Sequence, residues 1–229
     1  MTKQILSAIF MGALLLVSGF AQRAGGDSRA EPMLISARVD ANGSVIMNQM
    51  VIGDTVVDTT TKTGQALLQI REREQARITQ THGSIQEVGR AQIQERNGQI
   101  VQAHAISLIE TAELVEGEVG EQVRRVANDL KEAAQLMAVA ENRVEVRGGI
   151  ARLFFGSDRV AVNEMKNQMD QSREHIQEME QLMTNVTDEA VHAMIQEQIQ
   201  NMETRLEQVA VRVQTERQDK GLFGFLFRN

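Results

Sequence analysis

Three groups of residues have types and spacings that chemistry could use. Glu189 and His192 stand at i and i+3, so one helix face would carry both. Two such pairs, with further glutamates on four helices, hold a di-iron centre, but the chain has no second Glu-x-x-His. His175, Met179 and Met183 recur at i, i+4 and i+8, with Met165 and Met169 upstream. That is a soft donor set of the kind Cu(I) takes. Asp40-Ala-Asn42-Gly-Ser44 opens like a calcium loop, yet Val45 stands where the loop needs glycine and Val51 where it needs glutamate. The remaining histidines, His82 and His104, have no motif around them. No nucleophile elbow, zinc-helix, phosphate-loop or dinucleotide pattern occurs. There is no cysteine, hence no thiolate nucleophile and no thiolate metal ligand. The carboxylates are expected on solvated helix faces, with no two buried together. The sequence therefore predicts no catalytic residue, no cofactor, no resident metal, no small-molecule substrate and no enzymatic activity.

The elements that would carry these residues are read from apolar spacing. Val119, Val123, Val126, Leu130, Ala133, Met137, Ala140 and Val144 alternate in steps of four and three, a heptad seam. A second seam runs Val162, Met165, Met169, Ser172, Ile176, Met179, Met183 and Val186, and a third Ile195, Ile199, Met202, Leu206, Val209 and Val213. The copper set thus coincides with seam positions, where methionine is a common core filler. The second and third seams are out of phase by two residues. Either one helix carries a discontinuity there, or the chain turns near 184–188 with Thr187 as the cap and acids behind it. Upstream, Gly83, Gly89 and Asn97-Gly98 interrupt an apolar periodicity that includes Leu67, Ile70, Ile78, Ile85 and Val88. Only residues 34–63 read as extended: Ile35, Ala37 and Val39 alternate with polar residues. Asn42-Gly43 then gives a hairpin signal before the β-branched run Val51 to Thr61.

Phenylalanine is confined. Outside the first 21 residues it occurs only in Leu153-Phe154-Phe155 and in the C-terminal Leu222-Phe223-Gly224-Phe225-Leu226-Phe227, each flanked by Arg or Lys. These eight apolar residues are the candidate interaction sites. About 60 residues of helix separate the segments, roughly 90 Å if straight. A turn near 184–188 makes two nearly equal arms and brings both segments to one end. Such a joined patch suits a protein partner or self-association, with a membrane surface as the alternative.

The ends and the composition set the rest. Lys3, the apolar run Ile5 to Val17 and Ser18-Gly19-Phe20-Ala21 read as a signal peptide cut after Ala21. The chain is then expected to be exported across the cytoplasmic membrane, to the periplasm or cell surface. Aromatic content is 3 %, without Trp or Tyr, which points to a thin core of Val, Ile, Leu, Met and Ala rather than a thick globule. A net charge of -7 with interspersed signs excludes nucleic acid as the natural partner. The expectation is an all-α chain of long amphipathic helices in an elongated coiled-coil or antiparallel bundle, with a small N-terminal β-hairpin. Its organisation reads as 1–21 signal, 22–33 linker, 34–63 hairpin, and 64–146 helical with breaks near 97–98 and 117–120. Then follow 147–159 as an apolar loop, 160–218 as a helix or helical hairpin, and 219–229 as the Phe-rich tail.

Overall fold

The computed structural model describes residues 35–39, 45–86, 96–147 and 153–219. The signal segment, the Asn42-Gly43 turn and the tail residues Leu222, Phe223, Phe225, Leu226 and Phe227 lie outside the described residues. Within them the chain is mostly helical, with a small antiparallel sheet.

The sheet comes first. Strands β1 (Ile35–Val39), β2 (Val45–Ile52) and β3 (Thr55–Asp58) are joined in the order β1-β2-β3. β1 pairs with β2 from Val39↔Val45 to Ile35↔Met50, with a register shift between Ser36 and Ala37. β3 adds a strand to the expected hairpin. It folds back through Gly53-Asp54, with Ile52 opposite Thr55 and Gly53 at φ 55°, because a two-residue hairpin turn needs a positive φ at its first central residue. Met50, Ile52 and Val57 point to one side, against Leu67, Ile70, Ala193 and Met194.

Five long helices follow. Helix α1 (Lys62–Gln86) starts where Thr61 Oγ1 accepts the Gly64 N–H at 2.9 Å. Helix α2 (Asn97–Ala112) begins at the predicted break. Helix α3 (Gly117–Val146) opens at Gly117, whose φ of 74° suits a residue without Cβ. Helices α4 (Arg159–Met183) and α5 (Glu189–Gln218) are separated by a turn. The cap of α5 is Asp188, not Thr187: its Oδ1 accepts from Ala190 N at 3.0 Å and Val191 N at 3.1 Å. A carboxylate satisfies the free N–H groups and also meets the positive end of the helix. Asp158 caps α4 the same way, at 3.1 Å to both Val160 N and Ala161 N.

α3 packs on α2 and α4, and α5 packs on α2 and α4. α1 lies on α2 and touches α5, while β2 and β3 rest on α5. Their contacts set the directions. Gly98 at the start of α2 meets Glu141 late in α3, and Arg217 late in α5 meets Asn163 early in α4. Each of these pairs therefore runs antiparallel. One apolar cluster from Val101 to Val213 fills the space between α2, α3, α4 and α5.

Candidate functional site

The end formed by the last turns of α3 and α5 and the first turn of α4 is where the Phe-containing connection lies. Its geometry starts from Gly156, with φ 72°, which turns the chain so that Ser157 points inward. Ser157 is buried; its Oγ donates to the Glu216 carbonyl at 2.5 Å and its N–H to the Asp219 carbonyl at 3.5 Å. Asp158 then caps α4 and accepts from Arg143 Nη2 at 3.2 Å. The Ala161 N–H, ahead of the Arg143 guanidinium, holds the Asp158 carboxyl below the usual range. On the α5 side, Arg212 donates from both Nη atoms to Glu145 Oε1 at 3.3 Å, and Arg217 to Asn163 Oδ1 at 2.9 Å. The connection and the end of α5 are thus stitched together by backbone, hydroxyl and guanidinium contacts.

Of the predicted interaction residues, Leu153 is 56 % and Phe155 59 % exposed, and Phe154 is half-buried. Val146, in the last turn of α3, and Val160, in the first turn of α4, are 76 % and 68 % exposed. Asp219, the last described residue, touches Ser157, so the end of α5 lies beside the segment Leu153 to Phe155.

The seam residues are placed in the interior. Val123, Val126, Leu130, Met137, Val144, Met165, Met169, Ile176, Met179, Ile199, Met202, Leu206, Val209 and Val213 are buried in the main cluster, and Val119 and Met183 are half-buried against it. Met165, Met169 and Met179 therefore sit among apolar side chains, and His175 lies on the half-exposed flank with its Nδ1 4.0 Å from Glu178. Among the described residues no cluster of three or more His, Asp or Glu side chains could hold a metal.

The expectation that carboxylates keep to solvated faces is overturned. Glu74, Glu141 and Glu216 are 5 %, 1 % and 3 % exposed; the first two are enclosed because they meet polar groups of α2, the His104 ring and the Gly98 N–H. His104 Nδ1 faces the Glu74 carboxylate and lies 2.8 Å from Gln198 Oε1. Both partners are acceptors, so Nδ1 carries the proton. Gln198 Nε2 closes the ring by donating to Glu74 Oε2 at 2.9 Å. Nearby, Arg71 donates to the Val51 carbonyl at 3.0 Å and pairs with Glu197 at 2.9 Å. Burial raises the Glu197 carboxyl against the pull of Arg71. Arg77 pairs with Glu110. These polar contacts join α1, α2, α5 and the sheet beside the apolar cluster of Leu67 and Ile70.

The sequence did contain a signal for this network. Ile100, Val101, Ala103, Ala105, Ile106, Leu108 and Ile109 cover most of α2 and leave only a narrow polar stripe of Gln99, Gln102 and Glu110. A helix apolar over most of its circumference is largely enclosed, and His104, off that stripe, is enclosed with it. The partners Glu74 and Gln198 are far away in sequence and carry no local pattern. Comparison with protein-family models, with curated proteins and with solved structures gives no match.

Proposed function

We propose that this chain is an exported, non-enzymatic structural or adaptor protein of the cell envelope that works by contact. Its long helices associate as an elongated antiparallel bundle with coiled-coil seams, and its Phe-containing end docks on a partner. The observation that supports this reading is the pair of Ser157 contacts to Glu216 and Asp219, which holds the end of α5 beside Leu153 to Phe155. Export rests on Ile5 to Val17 and the small residues up to Ala21. With the seams facing one another inside the chain, contacts with other molecules fall to exposed side chains such as Val146, Leu153, Phe155 and Val160. Apolar side chains grouped in this way on a surface usually mark an interface. The alternative, a peripheral lipid-binding protein, draws on Arg159 beside the same residues, since basic groups around apolar side chains suit an anionic headgroup layer.

A photoreactive amino acid at Leu153, with Val56 on β3 as the control position, tests the proposal in cells. Val56 is equally exposed, at 60 %, but belongs to the sheet. Adducts of discrete protein mass at 153 and none at 56 support docking at this end, and lipid adducts at 153 support the alternative. No adduct at 153, or equal adducts at both positions, refutes a dedicated docking end.

A further inference from the structure

The start of α2 has no cap of its own. Arg96 holds the cap position and makes no side-chain cap bond. Asn97 and Gly98 are nevertheless buried, so their N–H groups need an acceptor from elsewhere. Glu141 of α3 supplies it: Oε2 accepts the Gly98 N–H at 2.8 Å, and the Asn97 N–H also faces this carboxyl. The second oxygen, Oε1, has no hydrogen-bond donor. Its nearest cation is Arg212 of α5, 3.6 Å away, and Arg212 gives both Nη atoms to Glu145, one turn further along α3. Asn97 Oδ1, at the same helix start, is a second buried acceptor without a donor. The junction therefore holds an enclosed carboxylate, two oxygens lacking a donor, and one guanidinium shared between Glu145 and Glu141, with its Nε lacking an acceptor. One proton on Glu141 relieves the carboxylate's share of this. It removes a buried charge, adds an O–H donor among donor-poor oxygens, and leaves Oε2 free to accept from Gly98.

We propose that Glu141 is a proton-operated latch on the start of α2, closed when the carboxyl is protonated and loosened when it ionises. This inference does not depend on the docking reading. The charged groups facing Glu141 are Arg212 from α5 and Glu145 from α3; α2 presents only backbone N–H groups. Burial dominates over the Gly98 N–H and Arg212 and lifts the carboxyl to about 7, so the latch works around neutrality, and rising pH opens it. The loosened helix is the one whose His104 and Glu110 hold α1, so opening is felt at α1 as well.

Amide hydrogen exchange on the full chain, at about pH 5.5 and about pH 8 with intrinsic rates corrected, reads the latch. Protection at Gly98 to Val101 is expected to fall by roughly tenfold to a hundredfold between the two. Helix α4 should hold steady, and Glu141→Gln should show no fall at α2. An equal fall in Glu141→Gln, an unchanged wild type, or a uniform loss over all helices overturns the proposal. A carboxyl-carbon NMR titration of the wild-type protein decides independently of how the variant folds. A Glu141 midpoint near neutrality supports the latch, and one in the ordinary glutamate range removes it.

Discussion

Replacing Gly98 with alanine tests the packing of α2 on α3 with a single methyl group. A Cβ at this position would stand 2.6 Å from the Ala138 nitrogen, 2.8 Å from its Cα and 3.0 Å from its Cβ. Comfortable contact is about 3.5–4.0 Å, so the two helices must separate by on the order of 1 Å at their closest approach. Alanine favours helix over glycine by about 1 kcal/mol, which would make the change stabilising if space were open. Overpacking of a tight contact costs about 1–3 kcal/mol. Stretching the Gly98 N–H bond to the Glu141 carboxylate adds a further fraction of the roughly 1.5–3 kcal/mol such bonds carry. The net expectation is destabilisation by about 2 kcal/mol, a fall in Tm of roughly 4–8 °C for a chain of this size. Equilibrium urea unfolding followed by circular dichroism gives the number. Two of the three close atoms are backbone, so adding Ala138→Gly should recover little. A neutral or stabilising Gly98→Ala, or full rescue by Ala138→Gly, would refute this account of the helix contact.

Other changes probe the remaining supports. Asp188→Ala removes both bonds at the start of α5 and should lower stability by about 1 kcal/mol, seen as a shifted urea midpoint with unchanged slope. His104→Ala takes one of two donors from the buried Glu74 carboxylate, leaving Gln198 Nε2, and should cost about 1.5–3 kcal/mol. Adding Glu74→Gln should recover part of that loss, measured by the same unfolding curves. Stability should also follow the Glu141 proton. The folded-state value of about 7 lies above the ordinary 4.5, so the folded protein binds this proton more tightly than the unfolded chain does. Its contribution is fully present below about pH 4.5 and is lost as pH rises through 7. Unfolding free energy measured from pH 5 to 8 should show this fall in wild type and lose it in Glu141→Gln.

How much of this was legible in sequence depends on whether the cause was local. The seams were readable because burial of a helix face imposes a spacing on Val123, Val126, Leu130 and their successors within the same segment. The α4–α5 turn was half legible: a phase slip between Met183 and Ile195 shows a discontinuity, but no Gly or Pro forces a reversal. What makes the turn is Asp188 as cap and Val186 packed into the main cluster, and the second depends on helices elsewhere. The third strand lies in the run Val51 to Thr61 that reads as extended, but its turn and pairing were not legible, because Gly53-Asp54 is a weaker turn signal than Asn42-Gly43. The buried polar groups were illegible for a stronger reason. Glu74, Glu141 and Gln198 occur in sequence surroundings like those of solvated residues. Their burial follows from which helix lies across them, and His104 pairs with residues 30 and 94 positions away.

Helices α4 and α5 turn back on one another, so that the end of α5 lies beside the segment Leu153 to Phe155. Cysteines at Arg159 and Gln218, in a chain that has none of its own, allow spin labels there and a distance by double electron–electron resonance. Neighbours of both positions are hydrogen-bonded across the gap, Ser157 to Asp219 at 3.5 Å. The expected separation is thus on the order of 20 Å or less, since one or two residues of chain add only about 3.5 Å each. A separation near 90 Å, the length of a single straight helix over this span, would contradict the turn and set Arg159 and Gln218 at opposite ends.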